Sequence, residues 1–217
     1  MSKHLQRDLD ALKQDLLEVG TRVEEAVEKS ILAFQERNLE LAQKVIKDDD
    51  KIDKREVEVE EECLKMLALH QPVAQDLRFI AAVIKMNNDL ERMGDCAAKM
   101  ARRTLSLVKD PPISLPSSLW RMTDLTLKMV RGCLDSFVKR DPKFAREICV
   151  KDDEVDQINR SIIKDLRRRM HEHPDQIDQA LDIISFTQRI ERIADLATNI
   201  AQDVVYLVEG EIIRHKR

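Results

Sequence analysis

The sequence predicts an all-α protein of two tandem, similar three-helix bundles, six long helices in all. Three observations carry this reading. The 217-residue chain has only 4 glycines and 6 prolines, with 36% charged and 3% aromatic residues, a composition rich in helix formers and poor in turn formers. Its 43% hydrophobic content suffices for a buried core. The chain also repeats itself: "FQERNLELAQKVIKDDDKID" from Phe34 aligns with "FVKRDPKFAREICVKDDEVD" from Phe137 at an offset of 103 residues. The alignment brings Phe34 onto Phe137, Arg37 onto Arg140, Ala42 onto Ala145 and Asp53 onto Asp156, and a repeated sequence implies a repeated structural unit.

The first helix is expected near residues 3–37. Asn38 follows it as a good N-cap, and a second helix runs near 39–69. Pro72 stands before a third helix near 73–108, because proline ends one helix and tolerates the start of another. The segment "KDPPISLPSS", Lys109 to Ser118, reads as the linker. The fourth helix is expected near 117–140. Asp141 then caps a fifth helix near 142–170, with Pro142 at its first position. Pro174 precedes a sixth helix near 175–209. Between the second and third helices of each unit the offset falls to 100, so the second unit is three residues shorter there. Long helices joined by short turns pack antiparallel, giving a first bundle over 1–108, a linker over 109–118 and a second bundle over 119–217. A ferritin-like four-helix bundle fits a three-helix repeat less well.

A net charge of -4, from 37 basic and 41 acidic residues, does not suggest a nucleic-acid binder. Cys63, Cys96, Cys133 and Cys149 form no CxxC and read as small core residues of a reducing compartment. The opening "MSKHLQRDLDAL" lacks the apolar stretch of a signal peptide, and no run is long and apolar enough for a membrane span. A cytoplasmic protein is expected, able to dock on a membrane partner from the inner face.

The candidate site lies in the third helix of each unit. "NNDLERMGDCAAKMA" starts at Asn87 and "TQRIERIADLATNIA" at Thr187, placing Glu91/Asp95 and Glu191/Asp195 at equivalent positions. At about 100° per residue, Asp95 falls about 40° from Glu91, while the stripe of Val83, Leu90, Gly94, Ala97 and Ala101 centres about 90° to the other side. Lys85, Arg92, Lys99 and Arg103 occupy the opposite flank, and Arg92 and Arg192 point about 100° away from the adjacent glutamates. The carboxylates therefore sit on the shoulder of the core face. Gly94 asks for a reason, since glycine inside a helix costs roughly 1 kcal/mol relative to alanine; close approach of a helix or an ion supplies one.

Two readings fit. Partly buried carboxylates repel and lose hydration, so they call for protons, basic partners or cations, and hard oxygen ligands suit magnesium, manganese, calcium or iron. Alternatively, each motif is an acidic i,i+4 pair on a solvated helix. Asp50 with Asp53, and Asp153 with Asp156, share faces of the second helices; they either add ligands or line a groove, or are solvated. His171 and His173 flank Glu172 without an evident third ligand and read as a loop. No P-loop, GxGxxG or Ser/His/Asp signature occurs, and no glutamate has a histidine three residues on, as di-iron oxidases require.

These residues resemble the PhoU family, the accessory and regulatory proteins of bacterial high-affinity phosphate transport. The likeness covers the whole chain and rests on "LDALKQDLLEVGTRVEEAVEKSI", "DDDKID", "DDEVD", "QPVAQDLRFI", "NNDLERMGDCA" and "RIERIADLATNIA". It implies paired three-helix bundles and metal at the two E(D)xxxD motifs, with Glu91, Asp95, Glu191 and Asp195 as ligands, the metal being iron, zinc, magnesium or manganese and the centre in some members multinuclear. It further implies a non-enzymatic negative regulator of phosphate uptake and of phosphate-starvation signalling. The implied partners are the ATPase subunit of a phosphate ABC transporter, a membrane sensor histidine kinase and a second copy of the chain. The alternatives are a metal-dependent enzyme acting on phosphate compounds and a metal-free helical scaffold. The second unit departs at one place: "PDQIDQALDI" stands where the first has "PVAQDLR", so Asp76-Leu77-Arg78 is not copied.

Overall fold

A computed structural model describes residues 3–213. The outer ends of the two expected bundles, residues 1–2 and 214–217, lie outside the described residues. Six α-helices account for nearly all of the chain: α1 (Lys3–Glu36), α2 (Leu39–His70), α3 (Ala74–Leu107), α4 (Ser118–Lys139), α5 (Pro142–Glu172) and α6 (Ile177–Glu209). No strand occurs among the described residues.

The helix ends follow local chemistry. The Asn38 side chain accepts a hydrogen bond from the Leu41 N–H at 3.0 Å, and Asp141 accepts from the N–H groups of Lys143 at 3.0 Å and Phe144 at 3.1 Å. Each cap satisfies donors that a helix start leaves open. Arg37 and Arg140, aligned by the repeat, both take left-handed backbone angles, φ 53° and 50°, so the two α-turns match in conformation as well as sequence. Pro174 opens a short 3₁₀ turn, Pro174–Gln176, and α6 starts two residues later than expected.

α1, α2 and α3 pack on one another, as do α4, α5 and α6, but α3 and α6 form the most extensive helix pair of all. The two units are therefore joined through their third helices, with α1 against α4 as a smaller second contact. Two aromatic stacks cross the boundary. Phe34 of α1 stacks on Phe186 of α6 with centroids 3.8 Å apart, and its repeat partner Phe137 of α4 stacks on Phe79 of α3 at 6.1 Å. The aligned phenylalanines thus do the same job from opposite sides.

Gly94 is buried where α2 crosses α3. A Cβ built there would lie 3.1 Å from Ile52 Cδ1 and 3.5 Å from Asp49 Oδ1, so the missing side chain is what admits Ile52. The equivalent positions of the second unit hold Ala194 and Val155. One methyl group has moved from the α2-type helix to the α3-type helix, conserving volume. We therefore expect Gly94→Ala to be about 1 kcal/mol more favourable in an Ile52→Val background than in the wild type, a coupling of contacting residues read from a double-mutant cycle in urea unfolding.

Candidate functional site

The α2–α3 and α5–α6 grooves each collect carboxylates from both walls. In the first, α2 supplies Asp49, Asp53 and Glu56, and α3 supplies Glu91 and Asp95. Burial is the leading cause that pushes Asp49 up to about 6, followed by the charges of Asp53 and Asp95. Glu91 is raised by burial and then by Asp53, Asp95, Glu56 and Asp49. Asp53 is raised by burial, Asp50 and Asp95, and Glu56 by burial, Glu60 and Asp53. These mutual effects place the five carboxylates in one trough.

The second trough repeats the pattern. Asp152 is pushed up to about 7, first by burial and then by Asp195, Asp156, Asp153 and Glu191. Glu191 is raised by burial, Asp195 and Asp156, against opposing effects of Arg192 and Arg160. Arg160 stands 3.6 Å from Asp156.

Glu91, Asp95, Glu191 and Asp195 are half-buried on the trough walls. Asp53 and Asp156 face the same acids. Asp50 and Asp153 are exposed and act on the trough only through their charge on Asp49, Asp53 and Asp152. The side chains that go deepest, Asp49 and Asp152, were not among the residues the sequence reading selected. The signal was present: Asp49 lies four residues after buried Val45 and three before buried Ile52, and Asp152 stands likewise between Ile148 and Val155.

Several buried acceptors in the troughs have no hydrogen-bond partner: Asp49 Oδ1 and Asn87 Oδ1 in the first, Asp152 Oδ1 and Asn159 Oδ1 in the second. Asn87 is fully buried and donates from Nδ2 to the Glu56 carbonyl at 2.8 Å, which fixes the amide and leaves its oxygen unused. Thr187 aligns with Asn87, and Asn159 with Glu56.

At the rims, Asp95 pairs with Lys99 and Asp195 with Arg192 at 3.2 Å. The Arg192 contact differs from the expected direction, because the long side chain reaches along its own helix to the carboxylate one turn on. Arg92 instead meets Asp89 at 3.5 Å. Among the described residues, no three His, Cys, Asp or Glu side chains converge on one point at ligand distances. His171 and His173 are exposed at the C-terminal end of α5, far from the trough; His171 belongs to the last helical turn rather than to a loop, and His173 is the C-cap.

A sequence model of the PhoU domain matches this chain twice, over residues 16–104 and 119–204, so each match spans one carboxylate trough. The phosphate-specific transport system accessory protein PhoU homolog of Aquifex aeolicus is 37% identical over 210 residues, covering 97% of this chain and 95% of that protein. The homolog of Pseudomonas aeruginosa is 35% identical, covering 99% and 89%. Among solved structures, PhoU from Pseudomonas aeruginosa superposes with a TM-score of 0.91 at 35% identity, over 95% of this chain and 99% of that one. The phosphate transport system regulatory protein PhoU from Streptococcus pneumoniae superposes with a TM-score of 0.89 at 31% identity, over 96% and 98%.

The trough acids set a pH dependence. Asp49 and Asp152 have folded-state values above 3.8, their ordinary value. The native metal-free chain therefore binds more protons than the unfolded chain in this interval, and stability falls as pH rises from about 4 to about 7. Asp152→Asn removes the cost of ionising one of these groups. It should be more stable than the wild type by about 1–3 kcal/mol at about pH 8 and equal to it near pH 3.5, as read from urea midpoints in the presence of a chelator.

Proposed function

The chain belongs to the PhoU family, and from that membership and the two troughs we propose that it is a regulatory accessory protein of phosphate transport that holds metal ions between α2 and α3 and between α5 and α6. The observation that carries the metal part is the pair of buried oxygens, Asp49 Oδ1 and Asp152 Oδ1, which have no partner and lie among carboxylates. A low-dielectric groove with four or five acids disfavours their ionisation. The same environment binds a multivalent cation firmly, since oxygen donors of this kind suit hard ions. The donor set fits the group: Asp49, Asp53, Glu91 and Asp95 in the first trough, Asp152, Asp156, Glu191 and Asp195 in the second. A bound cation supplies concentrated positive charge at the groove.

The rim pairs give the chain a way to report occupancy. Without metal, Asp95 holds Lys99 and Asp195 holds Arg192. When those carboxylates turn to a cation, Lys99 and Arg192 are released, and the charge pattern along the α3 and α6 surface changes. A partner that recognises that surface would distinguish the two states. In this reading the partners are the ATPase subunit of a phosphate ABC transporter and a sensor histidine kinase, met at the inner face of the membrane. Among the described residues no helix is long and apolar enough to cross a membrane, so the partners carry the membrane contact. The action is restraint of uptake and of phosphate-starvation signalling when phosphate is plentiful.

Purified wild-type protein reloaded with iron or zinc should retain metal through dialysis and gain about 2.7 kcal/mol of stability per occupied trough at hundredfold excess over Kd. A Glu91→Gln/Glu191→Gln variant should lose both effects with its helical circular dichroism intact. In a deletion strain, starvation genes should be expressed in high phosphate and silenced by the wild-type gene but not by the double variant. Wild-type protein free of metal above background sinks the metal part, and unchanged expression on deletion sinks the regulatory part.

A further inference from the structure

The two troughs are not chemical copies. Along α5 the trough face carries Cys149, Asp152, Asp156 and Asn159, where α2 has Ile46, Asp49, Asp53 and Glu56. Along α6 it carries Thr187, Glu191, Asp195 and Thr198, where α3 has Asn87, Glu91, Asp95 and Ala98. At one end, an isoleucine and an alanine of the first unit are thus replaced by a thiol and a hydroxyl.

The structure brings both to the contact between α5 and α6. The Cys149 S–H points across to α6 and donates to the Thr198 carbonyl at 3.9 Å. Thr198 is 9% exposed, and its Oγ1 is buried with no partner. At the opposite end Asn159, 6% exposed, leaves Oδ1 equally unused. Thr198 Oγ1, Asp152 Oδ1 and Asn159 Oδ1 therefore give one groove three buried acceptor oxygens without donors, with a thiol beside them. All four cysteines are free. Cys63, Cys96 and Cys133 are buried, and Cys149 alone is half-buried. Burial pushes the Cys149 thiol up to about 11, Asp152 adds to that rise and Arg146 opposes it, so the thiol is protonated until a cation displaces its proton.

We propose that Cys149 makes the second trough a mixed sulfur–oxygen site that selects a thiophilic divalent cation of the zinc class, while the first trough is an oxygen-only site for harder cations. This rests on the reading that the troughs hold metal. Thiolate ligands favour zinc and its neighbours over magnesium, calcium or manganese. On ligation the S–H bond is broken, the proton leaves to solvent and the sulfur stays as thiolate. The charge balance agrees. Glu56 of the first trough is Asn159 in the second, which leaves one carboxylate fewer, and a Cys149 thiolate restores the missing negative charge.

Cobalt(II) is the probe, titrated into the full chain. A thiolate-to-cobalt charge-transfer band should rise in the near ultraviolet, persist in Cys96→Ser and in the first-trough variant Glu91→Gln, and vanish in Cys149→Ser and Cys149→Ala. The visible cobalt bands of oxygen coordination should remain in both Cys149 variants. Zinc affinity of the second trough should fall by about tenfold or more in Cys149→Ser, with manganese affinity unchanged. Cobalt bound by the wild type without a charge-transfer band, or a band that survives Cys149→Ser, overturns this proposal and leaves the metal reading standing. No binding of cobalt or zinc at all overturns both.

Discussion

A carboxylate set on the seam between two packed helices must take up a proton, pair with a cation or reach a solvated edge. That requirement organises both halves of this protein. On α2, the residues Ala42, Val45, Asp49, Ile52, Glu56, Val59, Cys63 and Met66 follow one another at alternating spacings of three and four, the rhythm that keeps one face turned to a partner helix. The apolar members are buried, and Asp49 and Glu56 hold the two remaining places. On α5 the series Ala145, Ile148, Asp152, Val155, Asn159, Ile162 and Leu166 repeats the rhythm, again with two polar members. Asn87 and Thr187 occupy seam places on α3 and α6. The troughs are stretches of helix–helix seam from which the apolar filling has been removed.

A seam with charges in it contributes less to cohesion than an apolar one, so the rest of the fold must hold the helices in register. The joint between α3 and α6 does this, and its polar contacts reveal a pseudo-two-fold. Lys85 approaches Asp203 at 3.8 Å, while Arg103 donates to Ser185 at 3.1 Å. Residues 85 and 185 are repeat equivalents, as are 103 and 203, so exchanging the halves turns one contact into the other even though every side chain has changed. The geometry of the duplication has outlasted its chemistry. The stacks of Phe34 on Phe186 and Phe137 on Phe79 follow the exchange only on one side: the aligned pair Phe34 and Phe137 each insert into the opposite half, but the repeat equivalents of their partners Phe186 and Phe79 are Met86 and Gln179.

Helix positions, caps and the duplication were legible in the sequence because they depend on local chemistry: Asn38 and Asp141 cap whatever follows, and Pro72 and Pro174 interrupt whatever precedes. The third-helix acids were legible because the repeat marks them twice. The acids of the second helices were harder. Within "KDDDKID" adjacent aspartates differ by about 100° in direction, so pairing Asp50 with Asp53 selected a surface neighbour and passed over Asp49. Only the phase set by Val45 and Ile52 separates them. The rim pairs were obscured for another reason. Lys99 and Arg192 have stems long enough to bring a charge back across their own helix, so the direction of the Cα–Cβ bond misplaces the head group. Contacts between the halves, such as Phe34 with Phe186, join residues distant in sequence and leave no local trace.

The one element that the second unit does not copy shows where symmetry ends. Arg78, from the uncopied "PVAQDLR", lies over the Tyr206 ring at 5.9 Å, with Lys85 at 5.3 Å from the same ring. Its guanidinium also fills the space above Gly210, where φ is 75° and a Cβ would fall 2.5 Å from Arg78 Nη1. Gly210 ends α6 in the left-handed conformation that glycine adopts without strain, and a cation at a helix C-terminus is favoured by the dipole. On the other side, Arg146 binds Glu209 through two contacts of 2.9 and 2.5 Å. The last turn of α6 is therefore clasped by the start of α3 and the start of α5, one from each half. Breaking the repeat at Asp76-Leu77-Arg78 thus anchors the C-terminal turn of the helix that carries Glu191 and Asp195, one wall of the second trough.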